Sequence, residues 1–302
     1  MAKSKNFKKQ IAIILAFIGV GIVGLTLGIN LPKIQAKIKD YQATKQKAKD
    51  EARVKTLNEM VIPKDGFTLP ISWGDLGPKL SEAGVIDQKK FEEAARLTDD
   101  QKQILEKGGD IPVKINSQNG QFVVDLLWAI GLAQKSIIYT EGPLGTQYKG
   151  QEGTFASTGG WTLAKGDAVK YLNRFDLIPL TPDQQKRVAD ISKNIYRPCC
   201  DNPTWFPDCN HGMAALAAIE MMVSKNIPDD EIYKNVLKLN SFWFPDTYLT
   251  IAVYFDRQGT SWNKIDARKV LNKDFSSATG ASRVQSLVGP LPGQNSGGSC
   301  GA

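Results

Sequence analysis

Three of the chain's four cysteines and its only histidine fall in one short stretch, Arg197–Met222, which reads RPCCDNPTWFPDCNHGMAALAAIEMM. Cys199 and Cys200 are adjacent, and a bond between them would close a strained eight-membered ring. Asp201, Asn202, Pro203, Pro207 and Asp208 are turn formers, so the chain between the cysteines is expected to fold back on itself. The apolar run from Gly212 to Lys225 reads as a helix, with Asn210 as its expected N-cap. The stretch therefore requires a tight loop that delivers Cys209 and His211 to a helix N-terminus. Free N–H groups and the helix dipole favour thiolate over thiol there.

The order of the chemistry-bearing residues is Cys-Cys-x8-Cys-x-His. Thiolate and imidazole are soft to borderline ligands, and Cys199, Cys200, Cys209 and His211 make a candidate shell for zinc or copper; cysteine-rich sets also hold iron–sulfur groups. The spacing differs from the paired C-x2-C of zinc ribbons. Two other readings of the same residues stand beside it. Outside the cytoplasm four cysteines make two disulfides, with Cys199 or Cys200 joined to Cys209 and the remaining thiol meeting Cys300. A redox-active thiol gives the third, a thiol oxidoreductase. Met213, Met221 and Met222 suggest copper ligation, but Met213 and Met221 share a broad helical face with Leu216, Ala217 and Glu220, which core packing explains better. Glu220 is the one charge in the middle of that helix, facing solvent or supporting a ligand.

Other catalytic constellations are weak, and the sequence points away from an enzyme. A Ser-His-Asp triad would have to use His211, inside the cysteine cluster. The glycines of Glu141–Gly160 fit neither GxxxxGK[ST] nor GxGxxG. Trp128, Trp161, Trp205, Trp243 and Trp262, with Phe206, Phe242 and Phe244, are expected mainly in the core.

Ile11–Ile29 contains nineteen residues and no charge, about 28 Å of helix and therefore about one hydrocarbon core. No convincing small-x-small cleavage site follows it, so the expectation is an uncleaved single-pass anchor in the cell membrane, with the lipid bilayer as partner. The short basic tail before it reads as a signal-anchor that leaves the main domain outside the cytoplasm. The net charge of +7 resides in this region: residues 1–55 carry 12 Lys/Arg and three acids, and the remainder 26 basic and 28 acidic residues. The main domain has no basic excess to serve as a nucleic-acid footprint.

The expected organisation is a basic tail at 1–10, an anchor at 11–31, a basic helical stalk at 32–62, a globular domain at 63–275 and a flexible Gly/Ser-rich tail at 276–302. The fold class is mainly α, a compact multi-helix domain with at most a few short strands. Ile34, Ile38, Tyr41, Ala48 and Ala52 recur at helical spacing in the stalk, interrupted by Lys45; a weak coiled-coil seam and lysines resting on anionic lipid both fit. Phe67–Ser72 and Ile111–Ile115 are candidate strands. Asp87, Thr98 with Gln101, and Thr181 with Pro182 mark helix starts. Asn119–Ala133 is nearly all apolar and too short to span a membrane, so it is expected as the central core helix. Glu141–Gly160 reads as an irregular surface loop. Trp161–Leu172, Asp229–Leu239, Asp246–Phe255 and Trp262–Leu271 read as further helices.

YRPCC…PDCNHGMA, preceded by FVVDLLWAIGLA and followed by NSFWFPDTYLTIA, resembles a group of uncharacterised bacterial membrane-anchored proteins over roughly residues 65–256. That resemblance implies a location and a set of recurring residues, without a mechanism. The chain is also similar to extracytoplasmic proteins with a PCYCGC motif, in which a cysteine cluster leads into an amphipathic helix and a second short helix. The PCYCGC string itself is absent here and the cysteine spacing differs. The similarity implies metal binding at the cluster.

Overall fold

The computed structural model describes residues 33–292. The expected basic tail and membrane anchor, like Cys300, lie outside the described residues. No helix among the described residues is long and apolar enough to cross a membrane.

Residues 33–61 are helical (α1). The chain divides into two compact units, Met1–Arg53 and Val54–Ala302. In the first, residues 33–53 are exposed throughout, as a helix rich in Lys, Gln and Ala would be. In the second, α1 contributes Leu57 and Val61 to the core.

The second unit is mainly helical, with one two-stranded antiparallel sheet. Strand β1 (Phe67–Gly74) pairs with β2 (Gly109–Ile115), placing Phe67 opposite Ile115 and Gly74 opposite Gly109. Between them lie α2 (Leu76–Ala83), α3 (Gln88–Ala95) and α4 (Asp99–Glu106). The start signals operate as read: the Asp87 side chain caps α3, and Thr98 and Gln101 form a reciprocal capping box on α4, which satisfies backbone donors that the helix leaves unpaired.

Two helices form the centre. In α5 (Gly120–Ala133) every residue from Phe122 onward is buried, and in α8 (Asn210–Ser224) every residue from Asn210 to Val223. A helix apolar on all sides must be enclosed on all sides. The two pack closely because Gly131 has no side chain: a Cβ there would lie 2.3 Å from the Met213 carbonyl oxygen. Met213, Met221 and Met222 are buried here, and the Tyr139 hydroxyl, from the short α6 (Ile138–Glu141), donates to the Gly131 carbonyl at 2.6 Å beside the Met213 sulfur. The methionines belong to the core.

Around this pair stand α7 (Pro182–Ser192), opened by the Thr181–Gln184 capping box, then α9 (Asp229–Trp243) and α10 (Pro245–Arg257). Four expectations change. Trp161–Leu172 is not a regular helix but turns ending in a 3₁₀ segment, Ala168–Tyr171, since Gly166 takes a positive φ of 85°. Glu141–Gly160 is irregular as expected, yet Ser157 and Thr158 within it are fully buried. Trp262–Leu271 divides into a 3₁₀ turn and α11 (Ala267–Leu271), because the Asp266 side chain caps a new start. The flexible tail does not begin at residue 276: after α12 (Lys273–Ser276), Ala278–Val288 forms α13, capped by the Ser277 hydroxyl and packed on α10 through Val284 and Val288.

Gly131→Ala is expected to lower stability by about 1–3 kcal/mol through overpacking between α5 and α8. Gly120→Ala, where nothing lies within 4 Å of the new methyl, is expected to be neutral or slightly stabilising. Urea midpoints of the two variants check the contrast.

Candidate metal centre

The cysteine loop connects α7 to α8 and is held from several sides. Behind Cys199, the Thr204 N–H and hydroxyl both donate to the Ile195 carbonyl, and the Trp205 N–H donates to Ser192. Beside Cys200, its carbonyl accepts the Ala278 N–H at 2.9 Å. Asp201 accepts both the N–H and the hydroxyl of Thr279, each at 2.8 Å, which holds its carboxyl below the usual range. Helix α13, in sequence the start of a tail, thus clamps the loop by its N-terminus.

Three sulfurs meet in this loop. Those of Cys199, Cys200 and Cys209 lie within 4.8 Å of one another. Cys199 Sγ and Cys209 Sγ are 3.2 Å apart, and all three are free thiols and half-buried. Cys209, rather than Asn210, is the N-cap of α8: its backbone is extended and its sulfur accepts the Gly212 N–H at 3.4 Å.

Arg197 organises the loop. It is almost fully buried, and its guanidinium donates to Cys209 Sγ at 3.0 Å, to the Asn202 carbonyl at 2.8 Å, to the Phe206 carbonyl at 3.2 Å and to the Asp208 carboxylate. Asn202 Nδ2 braces the other oxygen of Asp208 at 2.8 Å, and the Cys200 thiol approaches the first at 3.4 Å. Neither Arg197 nor Asp208 was selected as a site residue from sequence. The signal available was an arginine two residues before the cysteine pair and an aspartate directly before the third cysteine.

These contacts make the three thiols unequal. Hydrogen bonds from Cys199 and Cys200, with the charge and the N–H of Arg197, hold the Cys209 thiol well below the ordinary range. Donation raises Cys199, together with burial. The Cys199 hydrogen bond lowers Cys200, but the bond to Cys209 and burial outweigh it and the charge of Arg197, and the thiol is pushed up to about 12. The resting cluster is one thiolate solvated by two thiols and a guanidinium.

His211 does not join it. The imidazole is buried against Phe244 and Trp243, with ring centroids 4.5 and 5.7 Å away, and its Nδ1 has no hydrogen-bond partner. Residues two apart at the start of a helix point to different faces, so Cys209 and His211 diverge. Burial lowers the imidazole pKa to about 4, and the ring is neutral at physiological pH.

Glu220 neither faces solvent nor supports the cluster. It is fully buried in α8, with the Ser136 hydroxyl beside its carboxyl and Tyr139 nearby. Burial raises its pKa to about 8, so it is a neutral acid at physiological pH. Of the tryptophans expected in the core, Trp128 and Trp161 pack edge to face at 4.9 Å within it, and Trp262 is buried too.

No family model matches the chain, and neither a curated protein nor a solved structure is similar to it.

Two tests follow from this geometry. Arg197→Gln is expected to raise the pH at which Cys209 alkylates and to destabilise the fold by about 3–5 kcal/mol, because Asp208 loses its buried partner; iodoacetamide rates against pH and urea denaturation report each effect. The folded-state pKa of Glu220 lies above its unfolded value, so its contribution is complete only below the ordinary carboxyl range near 4.5, declines as pH rises from there and is gone above about 8. Glu220→Gln is expected to flatten that loss, which for a fully buried carboxyl is on the order of 5 kcal/mol. Unfolding free energies at pH 6 and pH 9.5 for both proteins check the sign.

Proposed function

We propose that the protein is a membrane-anchored, extracytoplasmic domain that holds one soft metal ion, zinc or copper, on the sulfurs of Cys199, Cys200 and Cys209, for metal handling or to stabilise the loop. The supporting observation is the convergence of three free cysteine sulfurs within 4.8 Å. The uncharged run Ile11–Ile29 supports the anchor.

Two further features suit the chemistry. Cys209 is already poised as a thiolate, the ligating form. The loop is braced by α13 and by Arg197, so little conformational entropy remains to be lost on binding. Three thiolates complete a trigonal Cu(I) shell, whereas Zn²⁺ takes a fourth donor. His211 is not assigned that position.

The 3.2 Å approach of Cys199 Sγ to Cys209 Sγ favours a second reading, a thiol oxidoreductase. The Cys209 thiolate would attack a disulfide substrate and release one substrate thiolate, which takes up a proton. Cys199, on losing its own proton, would then displace the second substrate thiolate and leave a Cys199–Cys209 disulfide.

Metal analysis of the full chain, purified anaerobically with thiols reduced, separates the readings. One equivalent of zinc or copper is expected, lost in Cys199→Ser, Cys200→Ser and Cys209→Ser and kept in His211→Ala. A metal-free protein that reduces a disulfide substrate stoichiometrically would overturn the first reading in favour of the second. Because Cys199 and Cys200 keep their protons in the resting state, zinc binding is expected to release about two protons, so that apparent affinity falls roughly a hundredfold per pH unit of acidification. Proton release in weakly buffered solution measures the number.

A further inference from the structure

The helix of residues 33–53 belongs to neither reading of the cysteine site, and its surface is strongly patterned. Ile34, Ile38 and Tyr41 are 52%, 51% and 68% exposed, three of the five exposed large apolar side chains among the described residues. At about 100° per residue their i, i+4, i+7 spacing puts them on one face. The same rotation places Lys37, Lys45 and Lys49 on that face or its flanks. Asp40, Asp50 and Glu51, the only acids of the segment, fall on the opposite half. There Asp50 accepts from Gln46 and Glu51 pairs with Lys47. The segment thus has an acid-free face of three apolar side chains among three lysines, and a polar, partly neutralised back.

We propose that this face lies on the headgroup region of a bilayer containing anionic phospholipid, with Ile34, Ile38 and Tyr41 entering the interface and Lys37, Lys45 and Lys49 meeting lipid phosphates. Charge separation around the helix selects this occupant. A second copy would form a coiled coil on the same stripe, and that seam would bring Lys45 against its own copy, a repulsive pair in a seam that needs apolar contacts. An anionic surface turns the same lysines into attractive contacts, with their apolar stems lying along the stripe and their ammonium groups reaching the phosphates. The inference rests on the reading of residues 11–29 as an anchor, which delivers residue 33 to the bilayer surface.

The test uses the full chain in nanodiscs of phosphatidylcholine alone or mixed with phosphatidylglycerol, and follows amide hydrogen exchange over residues 34–49. Exchange is expected to be roughly tenfold or more slower in the anionic discs than in the neutral ones. The difference should vanish in a Lys37→Gln, Lys45→Gln, Lys49→Gln variant whose exchange in residues 67–288 is unchanged. Equal exchange in both lipids overturns the proposal. Protection that is independent of lipid, rises with protein concentration and coincides with crosslinked dimers also overturns it, in favour of a second copy. If the chain does not enter the discs, the anchor reading fails separately. Co-sedimentation with preformed anionic vesicles then decides: binding that needs the three lysines sustains the proposal, and no binding overturns it.

Discussion

The buried guanidinium of Arg197 is the interaction on which the cysteine loop depends. Removing a guanidinium from water is costly and is repaid only where its donors meet acceptors. Here the acceptors are two loop carbonyls, one carboxylate and one sulfur. Every bond reaches a different point of the segment between Asn202 and Cys209, so the cation sets the path of a loop that has no regular secondary structure. Helix α8 must yield space for it: a Cβ on Gly212 would stand 2.6 Å from Arg197 Cζ. The glycine three residues after the capping cysteine thus follows from the arginine two residues before the cysteine pair.

The support continues outward from that cation. The fully buried helix α8 fixes the end of the loop that carries Cys209, and α5 fixes α8. The other end is tied to α7 through Ile195 and Ser192, and the middle to α13 through Cys200 and Asp201. Beneath it, Asn240 of α9 donates to the Tyr196 carbonyl and to the Tyr248 hydroxyl, which in turn pairs with Ser276. An irregular segment with so many fixed points behaves as part of the core, and that permits sulfur geometry to be held before any ligand arrives.

The features legible in the sequence were those with local causes. The capping box at Thr98, the Thr181 cap with Pro182, the Asp87 cap and the apolar runs of α5 and α8 each depend on residues within one or two turns, and each was legible as a helix signal. The convergence of the cysteines was legible because turn formers separate them. Long-range causes were hidden. Helix α13 shows only Val284 and Val288 toward the core, in a segment whose serines and glycines resemble a linker, and its N-terminus is fixed by Asp201, far away in the chain. Arg197 reads as an ordinary surface arginine until the carbonyls around it are known. His211 stood close to Cys209 in sequence, but the rotation of a helix start carried it to the aromatic side of α8.

The inequality of the three thiols carries the last step. With Cys209 ionised, the site holds one thiolate, one guanidinium and the Asp208 carboxylate, a net charge of minus one in a half-buried setting. Ionising Cys199 and Cys200 without compensation would take it to minus three, and both thiols are held up by burial and by the hydrogen bonding among the sulfurs that lowers Cys209. A dication that displaces those two protons restores the original charge, whereas a monocation on three thiolates leaves the site one charge more negative. Disulfide formation between Cys199 and Cys209 removes the thiolate and leaves Arg197 balanced by Asp208 alone, so the loop tolerates that state too. Metal-bound and disulfide states alike use the same arginine as their fixed countercharge, and the state adopted follows from which species reaches the sulfurs, a soft cation or an oxidant.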